Sequence, residues 1–240
     1  MFFKKKNKYN AIDLNNLPTH VGFIMDGNRR WARKRGLPTL AGHKEGAEAL
    51  KRIVRRASEI GLKNLSFFCF SIENFKRSEE EVNYLLKMIG EIEKLVPDML
   101  KIDYKFHHSG DKSLLPPETV ACISRIEKAT ENCKTGTLNF LIAYGGRHDL
   151  VMATKAMIKA NVDPETITEE SIKNYLTTAT LPDVDLVVRT SGEQRISGFM
   201  LYNCAYAEMI FDEKYWPDYK GADLDRVIAI YQNRERRFGR

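Results

Sequence analysis

Short apolar runs alternate with stretches of helical spacing from Val21 almost to the end of the chain, the pattern of a parallel α/β sheet. Runs at residues 21–25, 65–70, 104–107, 138–143, 186–189 and 209–211 read as strands. Several are apolar nearly throughout, as strands covered by helices on both faces are. Between them, Ala47, Leu50, Ile53, Val54, Ala57 and Ile60 recur on one helical face, and Gly61 stands where a helix C-terminus favours glycine. Ser78 and Glu81 have the spacing of a capping box, followed by a stripe of Val82, Leu85, Leu86, Ile89 and Ile92. Pro116-Pro117 opens a third helix with Val120, Ile123 and Ile126 inward, and two more are expected near 148–160 and 222–233. No internal repeat, low-complexity linker or composition shift divides the chain. The reading is a polar, partly flexible lead-in over 1–17 and a single domain over 18–240, built on a parallel-type central sheet of about six strands ringed by helices.

Composition narrows the partners. A chain of 240 residues hides roughly 70–75% of its unfolded surface, so it needs no disulfide or metal staple. Aromatic residues at 10% argue against disorder. No run approaches the roughly 18–20 apolar residues of a membrane span. The start, Met1-Phe2-Phe3-Lys4-Lys5-Lys6, lacks the apolar core of a signal peptide, and Phe2 excludes a myristoylation pattern. Cys69, Cys122, Cys133 and Cys204 show no C-x-x-C pairing and read as free thiols of a cytoplasmic protein. The net charge of +6, from 38 Lys+Arg against 32 Asp+Glu, calls for an anionic partner: nucleic acid, a membrane surface or a phosphorylated small molecule. Basic residues gather at Lys4-Lys5-Lys6, between Arg29 and Arg35, and from Arg234 to Arg240.

In open α/β sheets ligands bind beyond the carboxyl ends of the strands. The first strand runs into Asp26-Gly27-Asn28-Arg29-Arg30-Trp31, where a backbone freed by Gly27 and a following helix start, in place of an Asp-Gly hairpin turn, suit an anion. A carboxylate beside an anion is repulsive unless it holds a cation, and Mg²⁺ binds through one or two carboxylates plus substrate phosphates. The second loop, Ser71-Ile72-Glu73-Asn74-Phe75-Lys76-Arg77, offers a hydroxyl, an amide, a ring and a guanidinium. The third runs from Arg189 through Thr190-Ser191-Gly192-Glu193-Gln194 to Arg195, Ile196, Ser197 and Gly198, and two arginines six apart can grip a diphosphate from two sides. His107-His108 reads as a strand end rather than a metal pair, and no His-x-x-His or cysteine set supports zinc.

These loops carry a resemblance. His20-Val21-Gly22-Phe23-Ile24-Met25-Asp26-Gly27-Asn28, Gly42-His43-Lys44, Phe70-Ser71-Ile72-Glu73-Asn74, Tyr144-Gly145-Gly146-Arg147, Arg189-Thr190-Ser191-Gly192-Glu193 and Ala205-Tyr206-Ala207-Glu208 occur in the order found in cis-prenyltransferases, specifically the undecaprenyl diphosphate synthase-like isoprenyl transferases. The chain resembles that family over about residues 18–240. The resemblance implies a homodimer with a hydrophobic tunnel beside the sheet, and Mg²⁺-dependent condensation of isopentenyl diphosphate onto an allylic prenyl diphosphate with a new cis double bond. Asp26 would bind Mg²⁺ and assist departure of the allylic diphosphate, with Glu208 as a second metal-linked carboxylate. Gly27, Asn28, Arg29, Arg30 and His43 would surround the allylic diphosphate. Arg189, Arg195 and Ser197 would hold isopentenyl diphosphate. Further substrate contacts fall on Trp31, Ser71, Ile72, Glu73, Phe75, Arg77 and Ile196, and on Arg237 and Gly239 of an Arg-x-Gly segment that reaches the partner's site. Asn74 stands where the family places a proton acceptor, but an amide is a poor base and suits a relay or orienting role better.

Two positions depart from the common bacterial pattern: Arg29 replaces a glycine, and Thr39 replaces an arginine four residues before His43. Phe75 replaces a tryptophan and is expected to keep its stacking role. The stretch from Ser71 to Gly110-Asp111 is as short as in medium-chain members, so the resemblance implies an undecaprenyl-like or shorter product, with Leu85, Leu86, Ile89 and Phe140 closing the tunnel. Peripheral, salt-sensitive contact of Lys4-Lys5-Lys6 with the inner membrane surface is expected as well. Three other readings compete. A basic RNA-binding protein would spread its cations over one face rather than set them beside Asp26 and Glu208, so no nucleic-acid partner is expected. An inactive partner subunit would lose Asp26 or the Asn28/Asn74 pair. A trans-type prenyltransferase needs Asp-Asp-x-x-Asp, and the chain contains no Asp-Asp.

Overall fold

The computed structural model describes residues 12–234. Strands β1 His20–Ile24, β2 Asn64–Ser71, β3 Tyr104–Ser109, β4 Gly136–Tyr144, β5 Leu186–Thr190 and β6 Glu208–Asp212 form one parallel sheet in the order β3-β4-β2-β1-β5-β6. All six strands read from the apolar runs are present, the first shifted by one residue and the others one to three residues longer. From β1 the chain builds outward on one side, then returns to lay β5 on the other. The reversal leaves a crevice beyond the carboxyl ends of β1 and β5, where Ile24 pairs with Arg189.

One sheet face carries Val21, Phe23, Leu65, Phe67, Leu138 and Phe140 into the main core. Phe23 stacks on Phe67 at 5.5 Å between ring centroids, and Phe106 on Phe140 at 4.9 Å. This face is covered by α2 Thr39–Ile60, α3 Glu79–Gly90, α5 Pro117–Ala129 and α8 Gly221–Gln232. Ile24, Leu141 and Val187 point to the other face and pack under Leu181, Val184, Phe199 and Met200. Helices α1 Asn28–Lys34, α4 Val96–Lys101, α6 Gly146–Lys159 and α7 Glu169–Tyr175 complete the fold; α1 is the helix expected after Gly27, while α4 and α7 were not read from the sequence. Ile12 and Leu17, in the stretch expected to be a loose lead-in, pack on the main core, and Gln232 at the end of α8 donates to the carbonyls of Asp13 and Asn16.

Helix α2 starts at Thr39, well before its apolar stripe, because its first turns pack through glycine backbone that contributes nothing to a hydrophobic pattern. A Cβ on Gly42 would stand 2.1 Å from the Asn28 carbonyl oxygen, and one on Gly46 would stand 2.6 Å from Asn28 Oδ1. Backbone cannot yield as a flexible side chain does. Gly42→Ala should therefore destabilise the fold by about 1–3 kcal/mol, read as a lower denaturant midpoint. An unchanged midpoint would show that α1 is not locked against α2.

The stripe after Ser78 is not one helix. It ends at Gly90, passes through a 3₁₀ turn at Glu91–Leu95 and resumes as α4, where Pro97 lacks the N–H that an α-helical interior would use. Only half of the expected capping box forms: Ser78 Oγ accepts from the Glu81 N–H at 3.4 Å, while the Glu81 carboxylate turns elsewhere.

Candidate active site

Asp26 follows β1 and its backbone is fixed from β5. Thr190 Oγ1 accepts from the Asp26 N–H at 2.9 Å and donates to the Asp26 carbonyl at 2.7 Å. Gly27 then takes φ 102°, a conformation that strains any L-residue, and caps α1 as its N-cap. Helix follows, not a hairpin. The Asp26 carboxylate accepts from the Gly27 N–H at 2.6 Å, from Arg189 Nη2 at 2.9 Å, and lies 3.2 Å from Arg30 Nη2. Burial pushes the carboxyl up, but Arg189, Arg30 and the Gly27 amide outweigh it and hold it below the usual carboxylate range.

Arg189 is the hub. Its side chain is only 6% exposed, and Nη1 donates to Ser197 Oγ at 2.8 Å and to the Arg195 carbonyl. Its Nε is buried without a hydrogen-bond partner. Arg30 reaches across to Ser191 Oγ and to Glu193 Oε1 at 2.8 Å, and Glu193 also pairs with the exposed Arg195.

Asp26, Arg189 and Ser197 border a cavity of about 940 Å³, whereas Arg30 braces Asp26 and Glu193 without lining it. Asp26, Asn28, His43, Ser71, Glu73, Asn74, Arg77, Arg189 and Ser197 line its polar part, with Ile72 beside them. Deeper walls are apolar, among them Leu50, Leu85, Met88, Ile89, Ile92 and Phe140. Ten of the residues expected from the sequence thus converge on one space. Such a space suits an amphiphile with an anionic head and an apolar tail.

Several others do not reach it. Gly27 sits beneath it, against Tyr215 and Ser191. Arg29 is drawn toward Glu81, at 3.8 Å. Trp31 donates its indole N–H to Asp218 at 2.8 Å and lies under the Arg35 guanidinium at 4.2 Å. Phe75 meets Phe70 edge-on at 4.8 Å, packing into the core instead of facing a ligand. Ile196 packs into the second core, and Arg195 is turned to Glu193. Glu208 opens β6 at the amino end of the sheet, opposite Leu186, and pairs with Arg234 at 2.5 Å. Parallel register therefore separates Glu208 from Asp26, which follows the carboxyl end of β1, and one chain does not assemble the two into a metal site. Leu86 is also absent from the cavity wall, where its neighbour Leu85 stands. Arg237, Gly239 and Lys4-Lys5-Lys6 lie outside the described residues.

Asn74 Oδ1 accepts from the Ser71 N–H at 3.1 Å, and Ser71 caps the 3₁₀ turn Ile72–Lys76 in return. The amide oxygen is engaged, leaving donors and no base. His107 and His108 each face a backbone carbonyl, at Thr177 and Ile142, and burial lowers both. A fourth loop carries one of the family motifs but no expected site role: β4 runs into Gly145, Gly146, Arg147 and His148, all lining the cavity. The signal was available, since Tyr144-Gly145-Gly146-Arg147 ends a strand as the other three motifs do.

A magnesium ion can be tested against these donors. Among the described residues no group of three or more His, Cys, Asp or Glu could hold a metal. Asp26 and Glu73 are the carboxylates that line the cavity, and Asp26, held ionised by its cationic neighbours, fits Mg²⁺ only in the mode completed by substrate phosphate oxygens.

Comparison with known proteins gives the class. Residues 24–239 match the family model described as "Putative undecaprenyl diphosphate synthase". An isoprenyl transferase of Clostridium tetani is 42% identical over 244 residues, covering 98% of this chain and 94% of the relative, and one of Staphylococcus haemolyticus is 40% identical over 233 residues, covering 95% and 91%. Among solved structures, lavandulyl diphosphate synthase from Lavandula x intermedia, in complex with dimethylallyl diphosphate, superimposes with a TM-score of 0.89 at 35% identity, covering 93% of this chain and 99% of that one. A probable undecaprenyl diphosphate synthase from Campylobacter jejuni gives 0.80 at 28% identity, covering 94% and 100%. The chain belongs to the undecaprenyl diphosphate synthase family and is an isoprenyl transferase. No helix among the described residues is long and apolar enough to cross a membrane.

Proposed function

We propose that the protein condenses isopentenyl diphosphate with an allylic prenyl diphosphate in a Mg²⁺-dependent reaction that forms a cis double bond, and that it acts as a homodimer. The observation that carries this reading is the Asp26–Arg189 pair at the β1/β5 crevice, set over an apolar cavity. In this reaction the allylic C–O bond breaks and diphosphate leaves, the isopentenyl double bond attacks the allylic carbon, and one proton is lost from the new unit. Mg²⁺ held by Asp26 with substrate phosphates would neutralise charge growing on the leaving oxygens.

The chain's own groups do the rest. His43, Asn28 and Arg77 border the polar part of the cavity and hold the allylic diphosphate, so that its chain extends along Leu85, Ile89 and Phe140. Arg189 and Ser197 hold isopentenyl diphosphate at the neighbouring edge. Asn74 donates its amide to a diphosphate oxygen, and that oxygen or a water takes the proton. The apolar wall excludes water from the allylic carbon, which strengthens every polar contact at the mouth. Asp26 serves both subsites through Arg189, which couples binding of the second substrate to activation of the first.

Incubation with isopentenyl diphosphate, dimethylallyl and longer allylic primers, and Mg²⁺, followed by product sizing and double-bond analysis, should yield a ladder of cis-prenyl diphosphates. No condensation with any primer, or trans products only, would overturn the reading.

A further inference from the structure

Glu81 is placed unlike a capping residue. Its side chain is 11% exposed, and its carboxylate stands 3.0 Å from Arg77 Nη1, 3.5 Å from His43 Nε2 and 3.8 Å from Arg29 Nη1. Those three groups come from three elements around the cavity: α1 supplies Arg29, α2 supplies His43, and the turn before α3 supplies Arg77. His43 and Arg77 line the cavity, whereas Glu81 lies behind them. His43 is 9% exposed, and its Nε2 stands 3.5 Å from Glu81, too far for a full hydrogen bond. His43 thus lines the cavity while its buried ring nitrogen lacks a full hydrogen-bond partner, a donor that the chain itself leaves unsatisfied.

We infer that Glu81 is a positioning residue for the allylic diphosphate: its carboxylate gathers Arg77, Arg29 and His43 into a preassembled cationic cluster and so sets the affinity for the diphosphate head. The inference rests on the function proposed above. Without a counter-charge the two arginines repel each other and a protonated His43, and their side chains relax toward solvent. With Glu81 in place the cluster keeps a net positive charge, already oriented, for an incoming diphosphate to meet. Glu81 also bears on the protonation of His43. Burial lowers the imidazole first, Glu81 raises it, and Arg77 and Arg29 lower it further. Of the charged groups facing His43 from α1, α3 and the turn before α3, Glu81 is the acid that favours the charged form.

The test uses inorganic pyrophosphate as the probe, titrated calorimetrically into the full chain, with unfolding temperature measured alongside. In Glu81→Gln, affinity should fall about three- to tenfold, the range expected for a partly buried charge contact. The loss should grow with pH, because removing the negative charge lowers the pH at which His43 gives up its proton. Glu81→Asp should recover much of the affinity. In steady state, KM for the allylic substrate should rise more than kcat falls, a split that general loosening would not give. Wild-type binding of pyrophosphate with unchanged affinity and pH profile in Glu81→Gln would overturn the inference and leave the proposed function standing. Tighter binding in that variant would also overturn it, by making Glu81 a competitor of the diphosphate. No pyrophosphate binding by wild type would instead overturn the reading of the site itself. Should Glu81→Gln unfold, the pH profile of wild-type binding decides: loss of affinity on His43 deprotonation supports the cluster, and a flat profile overturns it.

Discussion

Asp26→Ala should lower turnover by about two to three orders of magnitude, the usual cost of removing one preorganised charge from a reacting centre, while the chain stays folded. The backbone of Asp26 is held independently of its side chain, by both bonds to Thr190 Oγ1 and by the Trp216 N–H on its carbonyl. What alanine removes is the carboxylate that anchors Arg189, aligns Arg30 and is proposed to meet the metal. Arg189 is nearly enclosed, so losing its partner leaves a buried charge short of one acceptor and should cost about 1–3 kcal/mol of stability. Asp26→Asn keeps the shape and discards the charge. It should lose nearly as much turnover if charge is what matters. The pH dependence has a definite sign. The folded carboxyl is held below its ordinary value, so its stabilising contribution is present above the unfolded pKa and is lost as pH falls through the lower, folded one. The Asp26–Arg189 pair should therefore persist through neutral and mildly acidic pH and fail only below about pH 4. Steady-state turnover with both substrates, beside circular dichroism, checks each part. A folded Asp26→Ala protein with near-wild-type turnover would sink the assignment of this crevice as the reaction centre.

Much of this crevice was legible because each motif sits where a strand ends, and a strand end is visible as the close of an apolar run. Asp26, Asn74, Arg77, Arg189 and Ser197 were placed in one site by that rule alone. What the chain does not display is which strand lies beside which. The Ile24–Arg189 register couples residues far apart in sequence, and it turns Arg189 into the partner of Asp26 as well as a candidate substrate ligand. Glu208 is set apart from Asp26 within one chain for the same reason: it begins a strand, and in a parallel sheet the beginnings and ends lie on opposite sides. Trp31 and Phe75 were expected to face a ligand because the family resemblance implied substrate contacts there, yet Asp218 and Phe70 offered nearer partners. Sequence spacing also hides buried polar pairing. His20 Nε2 meets Ser66 Oγ at 2.7 Å, Asn139 Nδ2 donates to the same oxygen, and Ser109 Oγ donates to Asn139 Oδ1, a row crossing four strands. Burial lowers the His20 pKa to about 4, so it stays neutral in that row. Each of these side chains alone would pass for a polar position on an exposed face.

Truncating the wall of the apolar cavity should lengthen the product. A growing chain stops where its tail meets side chains that cannot yield, and the residues available for that role are Leu85, Met88, Ile89, Ile92 and Phe140. Leu85 and Ile89 lie one helical turn apart on α3 and face the sheet across the cavity, with Phe140 of β4 in the opposing wall. Ile89→Ala or Leu85→Ala removes branched carbons from this wall, and because packed interiors relax only partly, most of the vacated space remains open to the chain. The product ladder should then extend by about one or two five-carbon units, at a stability cost of about 2–5 kcal/mol. Phe140→Ala opens more room but also breaks the stack with Phe106 and the contact with Phe67, so its cost of about 3–5 kcal/mol makes it the least clean of the three. Leu86 gives the contrast. The sequence stripe counted it with the stops, yet it faces away from the cavity wall, and Leu86→Ala should leave the ladder as it was. Without truncation the wall should hold the product to undecaprenyl length or below. Reverse-phase sizing of radiolabelled products, run at equal active-site concentration, distinguishes the outcomes. If Leu85→Ala and Ile89→Ala both leave the ladder unchanged while Leu86→Ala shifts it, the growing chain runs along another face of α3, and this cavity does not set its length.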